Sequence, residues 1–127
     1  MITVLVVDDE PLVVSLIQRA ASQYGYAAVG TDNPAEALDI LADPNRPVDV
    51  LLTDVVMPGI NGRELANRAA GLRSGLPVVY MSGYSELENQ AIAEAANTCG
   101  LLHKPFSVSA LLESLGAATR SIETPAQ

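Results

Sequence analysis

The chain of 127 residues has no tryptophan, one phenylalanine, four tyrosines and a single cysteine. With aromatics at 4% and hydrophobic residues at 49%, a core must be built from Val, Leu, Ile and Ala, the material of a sheet covered by helices on both faces. Cys99 has no second cysteine to pair with, so no intrachain disulfide forms, and a reducing, cytoplasmic setting is expected. No stretch approaches the roughly 18 apolar residues of a membrane span. Met1 runs straight into an apolar strand pattern without a basic leader, so neither targeting nor a membrane partner is expected. Basic residues are scarce: seven against fifteen acidic ones, a net charge of -8, which repels a phosphate backbone and excludes direct nucleic-acid binding from the expected functions. Phosphate-cradling G-x-x-x-x-G-K-[ST] and G-x-G-x-x-G loops are missing, as is H-E-x-x-H, which removes support for nucleotide binding and zinc hydrolysis.

What is present alternates. Ile2 to Val7 is a β-branched run ending in Asp8-Asp9-Glu10-Pro11, with proline suited to a first helical turn. Leu12, Val13, Leu16, Ile17, Ala20 and Tyr24 recur at helical spacing until Gly25, and Tyr26 to Gly30 reads as a weak strand. Asn33-Pro34 with Glu36 caps a second helix carrying Ala37, Leu38 and Leu41. After the loop Asp43 to Pro47, the run Val48 to Thr53 is a buried strand ending at Asp54 and a turn with Pro58, Gly59 and Gly62. Leu65, Ala69 and Leu72 mark a third helix, and Pro77 to Ser82 a fourth strand. Ser85 with Glu88 forms a capping box before a helix with Leu87, Ala91, Ile92 and Ala95. Gly100 to His103 is a fifth strand, and Ser107 caps a last helix bearing Val108, Leu111, Leu112 and Leu115. One domain over residues 1–120 with a fraying polar tail, 121–127, is expected.

Five strands alternating with five helices point to parallel pairing through right-handed crossovers, and so to a three-layer α/β domain. In such sheets chemistry collects beyond the carboxyl ends of the strands. The residues there are Asp8 and Asp9, Asp54, Ser82 and Lys104. In the flavodoxin-like order 2-1-3-4-5 the first and third strands are neighbours, which brings three carboxylates together. Their repulsion is relieved by a hard divalent cation, and Mg²⁺ (or Mn²⁺) suits carboxylates plus a phosphate. A carboxylate so neutralised can attack a phosphoryl group, with Lys104 and Ser82 available to its oxygens.

The ordered motifs VVDDEP (6–11), TDVVMPGINGREL (53–65), MSGY (81–84) and HKPF (103–106) resemble those of receiver domains of two-component response regulators, over essentially the whole chain. The wording is most similar to receivers attached to hybrid sensor kinases. The resemblance implies Asp54 as phosphoacceptor, Asp9 as direct metal ligand, Asp8 as a ligand through water, and the Val56 carbonyl as a third protein donor. It implies Ser82 as the switching hydroxyl, Lys104 as the cation that pairs with the phosphoryl group, and a cis peptide between Lys104 and Pro105. It further implies a histidine kinase or histidine phosphotransfer protein as donor, a downstream protein target, and a surface around the fourth helix, fifth strand and fifth helix that changes on phosphorylation and can support a homodimer. One departure stands out: the aromatic that many receivers carry three residues before the lysine is Leu101 here. Tyr84, two residues after Ser82, is the expected substitute in the signalling motion.

Blander readings apply to single residues. An acidic pair after a strand is often only a solvated helix start, and Asp54 alone could cap a helix, but neither role calls for a lysine at the end of another strand. His103 should point away from Lys104 as an ordinary strand residue, and Cys99 as a small packing residue. Two rival functions remain: a degenerate receiver serving as a phosphorylation-independent interaction module, and an aspartate-nucleophile phosphohydrolase. The second usually has another Asp two residues after its nucleophile, where this chain has Val56. Self-catalysed transfer and slow autodephosphorylation, rather than enzymatic turnover, are expected.

Overall fold

The computed structural model describes residues 1–83 and 98–120. Tyr84, the helix expected beyond Ser85 and the tail 121–127 lie outside the described residues. Five parallel strands, β1 (Thr3–Val7), β2 (Ala27–Thr31), β3 (Val50–Asp54), β4 (Val78–Ser82) and β5 (Thr98–His103), form one sheet in the order β2-β1-β3-β4-β5. Helices α1 (Pro11–Gln23), α2 (Pro34–Ala42), α3 (Gly62–Leu72) and α4 (Val108–Ala118), the last being the helix expected after Lys104-Pro105, pack on its faces. The flavodoxin-like three-layer arrangement is therefore the one the alternating apolar runs imply.

Every residue of β1, β3 and β4 is buried, which is why these strands read as unbroken apolar runs rather than alternating ones. Alternate residues serve opposite layers. Leu5, Val7, Leu51 and Tyr80 face α2 and α3 with Ala37, Leu41, Leu65 and Ala69. Val4, Val6, Leu52, Val79 and Met81 face α1 and α4 with Val14, Ile17, Leu111 and Leu115. Each aliphatic side chain buried in this way contributes about 1.5–3 kcal/mol, offset by the entropy of ordering it.

Caps fix where helices begin. Asn33 accepts from the Ala35 N–H at 2.9 Å and Ser107 from the Ala110 N–H at 3.0 Å, as the sequence predicts. α1 differs from its expected stripe: Val14, Ile17 and Ala21 are its buried residues, while Leu12 and Leu16 are 70% and 56% exposed and Tyr24 is the exposed cap residue. Its apolar residues exceed the width of one buried stripe, so periodicity alone could not say which face turns inward. β5 begins at Thr98, two residues before the expected Gly100, with a register irregularity at Val78/Val79.

Candidate functional site

The register of β1 on β3 pairs Val7 with Thr53, so Asp8 and Asp54 leave adjacent strands side by side. Asp8 is fully buried and Asp54 is 8% exposed, whereas Asp9 faces solvent. One oxygen from each of the three carboxylates lies within 4.8 Å of the others. From β5, two strands away from β3, Lys104 reaches across: its Nζ is 2.7 Å from Asp8 Oδ2 and 3.2 Å from Asp54 Oδ2. The second oxygen of Asp8 accepts from the Glu10 N–H at 2.9 Å, which turns the chain into α1.

Backbone contacts hold these side chains in place. The Lys104 N–H donates to the Ser82 carbonyl at 2.7 Å, and the Lys104-Pro105 peptide is cis. Ser82 is fully buried at the end of β4, and its hydroxyl donates to the Gly83 carbonyl at 3.3 Å. On the other side, the Gly62 N–H donates to the Val55 carbonyl at 2.7 Å. Gly62 packs so tightly that a Cβ there would overlap the Asp54 carbonyl oxygen, and that close approach requires glycine. Gly59 has another reason to be glycine, a φ of 86° in the turn. Asn61 caps α3, its side chain accepting from the Glu64 N–H at 2.9 Å. The N-x-x-E spacing of Asn61 and Glu64 is the sequence signal for this cap.

Electrostatics in the pocket are unresolved by protein groups alone. Burial, with Asp8 and Asp9 adding to it, pushes the Asp54 carboxyl from 3.8 up to about 6, against the opposing pull of Lys104. For Lys104, burial would lower its pKa, but the hydrogen bond to Asp8 and the charges of Asp54 and Asp8 override that and raise it. Three carboxylates against one ammonium leave two negative charges in excess when all are ionised. A hard divalent cation matches both the deficit and the all-oxygen donor set, so the residues present fit Mg²⁺ or Mn²⁺.

The structure thus brings Asp8, Asp9, Asp54 and Lys104 together, with Ser82 bound to the lysine through its backbone. Val56 follows Asp54 by two residues and is 57% exposed. Leu101 is not at the site: it is half-buried in the α2/α3 layer, paired in register with Tyr80. His103 is exposed. The direct Lys104–Asp8 pair was not expected from sequence, because it joins residues 96 apart.

Known proteins share this plan. The curated response regulator MprA of Mycobacterium tuberculosis is 31% identical over 119 residues, 94% of this chain and 51% of that protein. The DNA-binding transcriptional regulator NtrC of Escherichia coli is 32% identical over 94% of this chain and 24% of its own length. This chain therefore spans about half of such relatives, or less. Among solved structures, a CheY-like receiver domain protein from Methanospirillum hungatei superposes with a TM-score of 0.84 at 25% identity, covering 98% of this chain and 99% of that one. The receiver domain of the hybrid histidine kinase CckA gives 0.74 at 29% identity, covering 89% and 94%. The model of the response regulator receiver domain matches residues 4–116, from β1 into α4, and the chain belongs to that family.

Proposed function

We propose that this chain is the phosphoryl-accepting switch of a two-component or phosphorelay system, with Asp54 as acceptor. The observation that carries this reading is the buried Asp54 carboxylate beside Asp8 and Asp9 with Lys104 3.2 Å away. A carboxylate oxygen of Asp54 attacks the phosphorus of a donor phosphohistidine; the O–P bond forms as the P–N bond breaks, and the electron pair stays on the imidazole nitrogen. Lys104 meets the charge on the transferred phosphoryl oxygens, and Ser82 supplies a hydroxyl donor from the end of β4. Asp9, Asp54 and the Val56 carbonyl would hold Mg²⁺ or Mn²⁺ directly and Asp8 through water; when bound, the ion neutralises the excess carboxylate charge. The chemistry is one self-catalysed transfer with slow hydrolysis of the acyl phosphate, so the chain acts as a switch rather than a turnover enzyme.

The donor is a histidine kinase or a histidine phosphotransfer protein, and the signal leaves through protein contacts. An open apolar groove of about 500 Å³ runs from Lys104 and Gly83 past Phe106 to Val13, Leu16 and Ile17 of α1. Its continuity with the pocket supports an approach of the donor along α1, where exposed Leu12 and Leu16 offer apolar surface without charge.

Intact-mass measurement after incubation with phosphoramidate tests the reading. A phosphoryl adduct is expected that requires Mg²⁺ and disappears in Asp54→Asn. Lack of an adduct together with lack of Mg²⁺ binding would instead favour the phosphorylation-independent interaction module.

A further inference from the structure

Among the described residues, two buried polar side-chain atoms have no hydrogen-bond partner: the Tyr80 hydroxyl and Arg63 Nε. Folded proteins pair the large majority of such groups, because an unpaired one bears its full desolvation penalty. Tyr80 is fully buried, and phenylalanine would fill the same space without the orphaned oxygen. The two groups are complementary, since Nε only donates and the phenol oxygen accepts as well as donates. Both lie where α3 packs on the sheet: Arg63 is in the first turn of α3, and Tyr80 is buried in one cluster with Leu65 and Ala66 of the same helix, where the Arg63 charge opposes the upward push that burial gives the Tyr80 hydroxyl.

Each group is tied through the backbone to one side of the pocket. Arg63 follows Gly62, which is bonded to Val55 and packed on the Asp54 carbonyl. Tyr80 precedes Ser82 by two residues on β4 and is in register with Thr53, the residue before Asp54, and with Leu101. Any shift of the Asp54 turn relative to the end of β4 changes the separation between the first turn of α3 and the Tyr80 ring.

From this we infer that Arg63 and Tyr80 form a two-position contact that reports the state of Asp54. It is open in this structure, and it closes, with Arg63 Nε–H donating to the Tyr80 oxygen, when a phosphoryl group draws Ser82 toward the Asp54 turn. The inference rests on Asp54 being the phosphoacceptor. It places the responding aromatic on β4, beside the aliphatic Leu101 of β5, and makes the start of α3 part of the signalling surface. Closure favours the phosphorylated state by the free energy of one hydrogen bond to a charged donor.

The test follows the Arg63 Nε–H resonance of the full chain by ¹⁵N NMR before and after phosphoramidate with Mg²⁺, with intact mass recording the adduct. In wild type the resonance should move downfield and exchange more slowly with solvent, and both changes should vanish in Tyr80→Phe, which removes one unpartnered oxygen and keeps the fold. The steady-state adduct fraction should fall by the same factor in Tyr80→Phe and Arg63→Gln, and no further in the double variant. An adduct with an unmoved Arg63 resonance, or with equal movement in Tyr80→Phe, overturns this inference alone. Absence of any adduct in wild type overturns the phosphoacceptor reading and this inference with it.

Discussion

At the amino edge of the sheet, charged groups meet well-matched partners: Asp49 accepts from the Thr3 N–H at 2.7 Å, and the Arg73 guanidinium donates to the carbonyls of Leu41, Asp43 and Arg46 at 2.9, 2.8 and 2.6 Å. At the carboxyl edge, three carboxylates cluster and the two buried ones share one lysine, yet one of these is pushed to a pKa of about 6. Arg73 satisfies carbonyls at the end of α2 that helix geometry leaves unbonded, so it ties α2 to α3. The acidic pocket does the reverse, holding like charges together where separating them would lower the energy. A fold normally resolves such conflicts, and one that persists at a single edge marks where an external ligand completes the structure.

Cutting the one link that tempers the pocket should have the largest effect. Lys104→Met leaves fully buried Asp8, among the described residues, with only the Glu10 N–H, and urea unfolding should show a loss of about 3 kcal/mol, the low end for one partner of a buried pair because Lys104 is partly exposed. The same variant should not accumulate the adduct. Arg73→Ala at the opposite edge should cost about 2 kcal/mol, as expected for losing several charge-assisted bonds to carbonyls, while phosphorylation by phosphoramidate stays at the wild-type rate. A variant that slowed phosphorylation there would break the contrast between the edges.

Proton linkage sharpens the comparison. Because the Asp54 carboxyl sits at about 6 in the folded chain and an ordinary aspartate carboxyl at 3.8, the folded state holds the extra proton between these values. Stability from this group is present below about pH 4 and is lost as pH rises through about 6. Metal-free wild type measured against Asp54→Asn should therefore lose roughly 1–3 kcal/mol across that window. The smallest stability effect should come from Leu16→Ser at an exposed position of α1, within about 0.5 kcal/mol. That variant should nonetheless slow transfer from a phosphohistidine donor while leaving the phosphoramidate reaction unchanged.

The strands and the pocket residues were legible because buried parallel strands are short apolar runs and each reactive residue stands at the end of one, whereas the strand order came from the flavodoxin-like plan and not from the runs themselves. Contacts that depend on distant chain segments were not. Arg73 meets carbonyls about 30 residues away, and no local pattern marks it. The Lys104–Asp8 pair requires the packing of β4 and β5 to be known. Tyr80 reads as one more apolar strand residue until its hydroxyl is seen to lack a partner. Along α1, Leu12 and Leu16 fit a helical period yet remain outside, since periodicity identifies a face without saying what covers it.

The most direct test of the charge conflict is urea unfolding at pH 7 of wild type and Asp54→Asn, each with and without Mg²⁺. Without metal the asparagine variant should be the more stable of the two, and Mg²⁺ should stabilise wild type more than the variant. Wild type indifferent to Mg²⁺, or an asparagine variant less stable than wild type without metal, would contradict the account.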